Sequence, residues 1–123
     1  EIKRVVFCSG KVYYDLAEKR DVENIREVAV MRVEQLYPFP EPDLRRFVEE
    51  FPNAVEVIWC QEEPQNQGAW YQIRHHLQAC ISEKQELKYV GRPHSASPAV
   101  GYFTRHLEEQ QALVNEAILP SHD

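Results

Sequence analysis

The 123-residue chain reads as an α/β domain of three layers, helices on both faces of a mostly parallel sheet. Two observations predict this. Short β-branched and aromatic runs alternate with stretches whose apolar residues recur at helical spacing. The units follow one another in a β-α order repeated four times, which right-handed crossovers join into parallel strands. A hydrophobic content of 43% and a charged content of 28% fit one globular domain rather than a disordered or fibrous chain. Neither an internal repeat nor a linker interrupts it.

Arg4–Cys8 (RVVFC) is the first strand, Ser9-Gly10 a turn, and Val12–Arg20 a helix carrying Val12, Leu16 and the pair Tyr13-Tyr14. Glu27–Leu36 is the second strand. The prolines of Tyr37-Pro38-Phe39-Pro40-Glu41-Pro42 forbid a central strand, and Pro42 suits the first turn of the next helix. There Leu44, Phe47, Val48 and Phe51 form one stripe, which Pro52 ends. Val55–Cys60 is a largely buried third strand, and its helix over 69–82 buries Trp70, Ile73, Leu77 and Ile81. Leu87–Val90 is a short fourth strand. It exits into a loop from Gly91 to Pro98, before a last helix over 102–119 with Phe103, Leu107, Val114, Ala117 and Ile118 on its apolar side.

In such a sheet the loops that follow the strands share one edge, where open α/β folds place their functional groups. Those loops are Ser9-Gly10-Lys11, Glu34-Gln35-Leu36-Tyr37, Gln61–Gln67 and Gly91–Ser97. The densest is Trp59–Trp70, where an apolar strand ends in Gln, Glu, Asn and Gly; this patch is expected to be a site or an interface. Isolated, the edge would expose Trp59, Tyr37 and Phe39 beside unpaired amides and carboxylates.

Several chemistries are excluded or weakened. A net charge of -6 argues against nucleic-acid or anionic-lipid partners, and no apolar run approaches the ~20 residues of a membrane-spanning helix. Cys8, Cys60 and Cys80 form no CxxC pair; their odd number, without a signal peptide, points to a reducing compartment and to small buried thiols. Ser9-Gly10-Lys11 lacks the GxxxxGK[ST] spacing of a phosphate loop. His75 and His76 are neighbours in a helix and diverge, so they do not chelate one metal as an i, i+4 pair would. Glu62 and Glu63 diverge in an extended segment, which allows one to meet a partner while the other caps the next helix, but gives no acid-base pair. Ser95 and Ser97 lie in no GxSxG elbow, and no triad can be assembled. Lys11, Arg32 and Arg92 are the cations near the edge. They form ion pairs with Glu34 or Glu62, or else recognise an anion or nucleotide, which guanidinium groups suit.

Ser9–Leu16 (SGKVYYDL), Arg32–Pro40 (RVEQLYPFP), Trp59–Trp70 (WCQEEPQNQGAW), and Gly91-Arg92-Pro93 followed by Ser97–Gly101 (SPAVG) together cover nearly the whole chain. In that order they resemble the carboxyl-terminal domain of the decarboxylating component of 2-oxoglutarate dehydrogenase. The resemblance implies a transketolase-type carboxyl-terminal domain with a mixed, mostly parallel sheet, in an enzyme that uses thiamine diphosphate and magnesium. That enzyme decarboxylates 2-oxoglutarate and passes the succinyl group to a lipoyl arm on the succinyltransferase component. Other domains hold the cofactor, and this chain contains no Gly-Asp-Gly magnesium motif; catalytic, cofactor-binding and metal-binding residues are expected to be absent from it.

The implied partners are the preceding domain and a second subunit of a homodimer, and in some members a nucleotide-like effector. Interface or effector candidates are Lys11, Arg32, Glu34, Gln35, Glu62, Gln67 and Arg92. The chain opens at Glu1 directly on a strand and is expected to be part of a longer protein. Gln65–Trp70 looks like the bacterial version, which favours a bacterial cytoplasm over a mitochondrial matrix. The competing reading is an independent α/β module that binds a small anionic or nucleotide-like ligand through Arg32, Glu62 and Arg92.

Overall fold

Alternation of side chains along two central strands decides where the helices go. The computed structural model describes residues 1–92 and 103–120, the side chains of 103–105 excepted. Its elements are β1 (Arg4–Cys8), α1 (Val12–Val22), β2 (Val28–Arg32), α2 (Glu41–Glu49), β3 (Glu56–Pro64), α3 (Trp70–Ala79), β4 (Glu86–Arg92) and α4 (Phe103–Ile118). Val5 and Phe7 of β1 and Val57 and Trp59 of β3 face one side and pack against Leu44, Val48, Ile73 and Leu77 of α2 and α3. Val6, Cys8, Ile58 and Cys60 face the other and pack against Val12 and Leu16 of α1 and Leu113, Val114, Ala117 and Ile118 of α4. This period of two on both faces is what a sheet covered on each side requires. Trp59 and Phe7 are the largest fully buried side chains, each contributing roughly 1.5–3 kcal/mol by leaving water.

The strand order is β2-β1-β3-β4, and every pairing among the described residues is parallel. The sheet is therefore parallel throughout the described strands rather than mixed. Cys8 stands in register with Arg32 on one side and Cys60 on the other, and Cys60 with Val90, so the carboxyl ends of all four strands reach one edge. The chain steps outward from β1 to β2, then back across to β3 and on to β4. With right-handed crossovers, that reversal puts α1 on the face opposite α2 and α3, and makes the β1/β3 boundary the topological switch point.

Several boundaries differ from the sequence reading. β2 stops at Arg32 instead of Leu36: the N–H of Val33 still bonds the carbonyl of Cys8 at 2.7 Å, after which the chain leaves the sheet. β3 continues past Cys60 to Pro64, because Gln61 stays in register with Gly91 and an irregularity then brings Pro64 opposite Arg92. Glu62 and Glu63 thus belong to a bulged strand end, the kind of feature that re-aims side chains. β4 is longer than expected and ends on Arg92. Leu107, placed on the apolar side of the last helix, is 46% exposed. The buried stripe of α4 is Leu113, Val114, Ala117 and Ile118, and Leu107 lies at its margin. The loop from Pro93 to Pro98, with Ser95 and Ser97, and the side chain of Phe103 lie outside the described residues.

At the opposite edge, one buried cation ties the chain ends together. Arg4 donates through Nε to Glu56 Oε1 at 2.9 Å and through Nη1 to the carbonyls of Glu116, Ala117 and Leu119 at 3.2, 3.0 and 3.0 Å. These are carbonyls at the carboxyl end of α4, which lack intrahelical partners. Lys88 Nζ meets the other Glu56 oxygen at 2.6 Å. Burial acts to raise the Glu56 carboxyl, but the hydrogen bonds from Lys88 and Arg4 outweigh it and hold the group below its ordinary value.

Candidate functional site

The switch point is bridged rather than open. Gly10, at φ +82, makes the left-handed turn that glycine favours and delivers Lys11 to the start of α1. From across the boundary, Glu62 at the end of β3 accepts Lys11 Nζ on Oε1 at 2.8 Å. That same oxygen accepts Gln110 Nε2 from α4 at 2.9 Å, and Gln110 also donates to Asp15 Oδ2 of α1 at 2.9 Å. The Glu62 carboxylate bonded to Lys11 holds its ammonium above the ordinary lysine value, so Lys11 is charged throughout the neutral range.

Arg92 completes this group from β4. It is buried; Nε donates to Glu109 Oε1 at 3.2 Å, Nη2 to Gln110 Oε1 at 3.0 Å, and Nη1 to the Glu62 carbonyl. Nη2 also lies 3.4 Å from the carbonyl of His106. Lys11, Glu62 and Arg92, assigned to the edge from sequence, thus belong to one connected network. Each cation already has an acceptor.

Arg32 and Glu34 form a second group. Arg32 Nε stands 3.4 Å from Glu34 Oε1, its Nη1 donates to the Tyr14 hydroxyl at 3.1 Å, and its guanidinium lies 5.4 Å from the centroid of that ring. Nε is nevertheless buried and has no aligned acceptor. Gln35 lies apart from both groups and donates to the carbonyl of Tyr37 at 3.0 Å, closing its own turn. Gln67 is exposed in the turn after β3, its N–H bonded to the Pro64 carbonyl at 2.9 Å.

The polar patch after Trp59 is organised from inside by Gln61. Its side chain is 2% exposed and makes four hydrogen bonds: Oε1 accepts Trp59 Nε1 at 2.8 Å and the Trp70 N–H at 3.2 Å, while Nε2 donates to the carbonyls of Glu63 and Pro64 at 3.2 and 3.0 Å. A Cβ on Gly68 would collide with this amide, so the turn needs glycine there for space. Trp59 is consequently 1% exposed, not a surface aromatic awaiting cover as the sequence suggested. Tyr37 is exposed, its hydroxyl bonded to Gln72, and Phe39 is half-buried and stacks on His76 at 5.0 Å.

Sequence reading missed Gln110, although a helical wheel carries the signal: residues 110, 113, 114 and 117 share one face, so a glutamine there points toward the sheet. It also placed Gln61 in the edge loop 61–67, whereas the residue is buried at the end of β3. Of the acidic neighbours, Glu62 turns toward Lys11 while Glu63 is exposed; the capping contact at Trp70 comes from Gln61 instead.

The three thiols are free and buried. Burial pushes Cys8 up to about 12 and Cys80 up to about 11, and raises Cys60 further still, which makes each inert at neutral pH. Among the described residues, no three His, Cys, Asp or Glu side chains converge as metal ligands, and no helix is long and apolar enough to cross a membrane.

A family model described as 2-oxoglutarate dehydrogenase C-terminal matches residues 1–118. The 2-oxoglutarate dehydrogenase E1 component of Haemophilus influenzae is 52% identical over 118 residues, 96% of this chain and 13% of that protein. Its counterpart from Cupriavidus necator is 50% identical over 117 residues, 95% of this chain and 12% of that protein. The chain therefore spans about an eighth of the length of the curated relatives it matches. A solved structure described as a split-gene transketolase, inactive β4 tetramer, superposes with a TM-score of 0.60 at 17% identity, over 94% of this chain and 39% of that one. At that identity the likeness concerns the fold alone.

Proposed function

The chain belongs to the 2-oxoglutarate dehydrogenase C-terminal family, and on that premise we propose that it acts as a docking domain of the decarboxylating E1 component rather than as its catalytic part. The parent decarboxylates 2-oxoglutarate with thiamine diphosphate and magnesium and hands the succinyl group to the lipoyl arm of the succinyltransferase component. In this reading the polar edge packs against the preceding domain and the second subunit of a homodimer, in a bacterial cytoplasm.

The observation that carries the proposal is the state of the edge. Lys11 pairs with Glu62 and Arg92 with Glu109, and Gln110 links Glu62, Arg92 and Asp15 across the β1/β3 switch point, where an open α/β fold would otherwise leave a crevice. A magnesium-diphosphate needs carboxylate oxygens free to coordinate. Here Glu62 and Asp15 are already committed to Lys11 and Gln110, and Glu109 to Arg92. That commitment of one oxygen of each of Glu62 and Asp15 supports a packing role over a metal-binding one, and no chemical step is assigned to these residues. A polar rim whose Lys11, Glu62 and Arg92 are already paired suits a protein-protein contact, in which paired polar groups surround a few exposed aromatics such as Tyr37.

A second reading rests on Arg32. Its buried Nε without an aligned acceptor, beside the exposed Tyr14 ring, suits an anionic or nucleotide-like effector that would complete the guanidinium's bonds. Changing Arg32 to alanine separates the two: an effector role alters the response to an added nucleotide, whereas an ion-pair role alters stability only.

The main proposal is tested by assaying the full-length enzyme with 2-oxoglutarate beside a version lacking this segment, with subunit mass measured in parallel. Loss of turnover together with loss of the dimer is expected. A truncated enzyme that stayed dimeric and fully active would overturn it.

A further inference from the structure

Among the described residues, a single buried side-chain nitrogen or oxygen atom lacks a hydrogen-bond partner, and it is Nε of Arg32 at the end of β2. The Tyr14 hydroxyl takes Nη1 at 3.1 Å and the Tyr14 ring lies 5.4 Å from the guanidinium, so the group is held from one side. Its other side, formed by Nε and Nη2, is the edge to which a carboxylate bonds through two parallel hydrogen bonds. Glu34 stands 3.4 Å from Nε without an aligned bond, and its side chain is 79% exposed. An acid so far out in water stabilises the pair little.

The surrounding charges select the anion. Lys11 and Arg92, the other cations near the edge, are engaged by Glu62 and Glu109. A phosphate carrying nearly two charges would meet one guanidinium and the repulsion of Glu34, whereas the single charge and planar shape of a carboxylate match the fork. Tyr14 is 62% exposed and Tyr37, in the loop that follows β2, 61%. Arginine beside exposed tyrosine is the composition of a protein-protein hot spot. The matched relatives continue for about seven-eighths of their length outside this segment, which the family description places at the C-terminal end. The polypeptide on hand to cover the edge is therefore the part that precedes it, kept close by its tether.

Resting on the docking role proposed above, we propose that Arg32, steadied by Tyr14, receives an Asp or Glu side chain from the part of the same polypeptide that precedes this segment. The incoming carboxylate displaces Glu34 and bonds Nε and Nη2, and the contact takes the Tyr14 and Tyr37 rings out of water. A phosphate-bearing effector and the second subunit are the competing occupants, and each leaves a different trace.

The test uses the full-length protein that carries this chain, in phosphate-free buffer. Hydroxyl-radical labelling of Tyr14 in the unaltered protein is expected to run about fivefold slower than that of a free tyrosine amide, because the contact covers the ring. Arg32→Leu is expected to raise that labelling about threefold, and Glu34→Gln to change it by less than about twofold; thermal unfolding checks that each variant is folded. Glu34→benzoylphenylalanine, activated by light, is expected to join a peptide of the preceding part within one polypeptide. A cross-link found only at the mass of two polypeptides would overturn the proposal, and so would protection of Tyr14 that appears only when inorganic phosphate is added. Free labelling of Tyr14 in the unaltered protein would overturn it as well. If residues 61–67 are then still protected from hydrogen exchange, docking of the edge stands without Arg32; if they are not, both fall.

Discussion

Gln61 accepts the backbone N–H of Trp70 on its side-chain oxygen at 3.2 Å, so a buried amide at the end of β3 caps the helix that begins nine residues later. α3 has no cap from its own Ala69, and the strand supplies what the helix lacks.

Replacing Gln61 by leucine keeps most of the volume but strands the Trp59 indole N–H, the Trp70 N–H and the carbonyls of Glu63 and Pro64. A loss of about 2–4 kcal/mol in unfolding free energy is expected, from the desolvation of several unpaired groups. Gln61→Glu should cost at least as much, since its carboxylate would face two carbonyls. Urea denaturation measures both, and a cost below 1 kcal/mol would show that water replaces the amide.

Arg4 is the second structural prediction. Arg4→Ala removes the bonds to Glu116, Ala117 and Leu119 and one of two partners of Glu56. Breaking a buried pair of this kind costs roughly 3 kcal/mol. Arg4→Lys should recover only part of it, because an ammonium lacks the fork that serves the carboxylate and the helix end together. Amide exchange at the end of α4 should quicken in both variants.

The Glu56 carboxyl sets a direction with pH. Its folded value lies below its unfolded one, so its contribution is complete above about pH 4.3 and is lost as pH falls through the lower folded value. Urea midpoints should fall more gently between pH 5 and pH 2 in Glu56→Gln than in the native chain. Parallel acid limbs would remove Glu56 from the account.

Thiol chemistry gives an independent check on the core. With Cys8, Cys60 and Cys80 buried and held protonated, none should react with a disulfide reagent at pH 7.5 within minutes, and all three should react once the chain is unfolded. Rapid modification of Cys8 or Cys60 in the folded protein would contradict the packing of α1 and α4 over them.

Local pattern made the architecture legible. The runs Arg4–Cys8 and Val55–Cys60, the stripe Leu44, Phe47, Val48 and the order of four units led to the observed sheet and helices. What stayed hidden depended on partners distant in sequence. Arg4 reads as a charged residue at a strand start, and only the fold brings residues 116–119 to it. Gln61 reads as the first residue of a polar edge loop, whereas here every polar atom of its side chain is satisfied within the protein. At the candidate site, sequence put Lys11, Glu62 and Arg92 on one edge, but not the Gln110 that joins them, since α4 crosses from the far end of the chain.

Hydrogen exchange of the 61–67 segment and of Ser9–Lys11, compared between the intact enzyme and the isolated chain, tests most directly whether this edge is a docking surface. The account predicts slower exchange at both segments in the intact enzyme, with the α2–α3 flank alike in the two samples. Equal exchange at both segments, with that flank still matched, would contradict it.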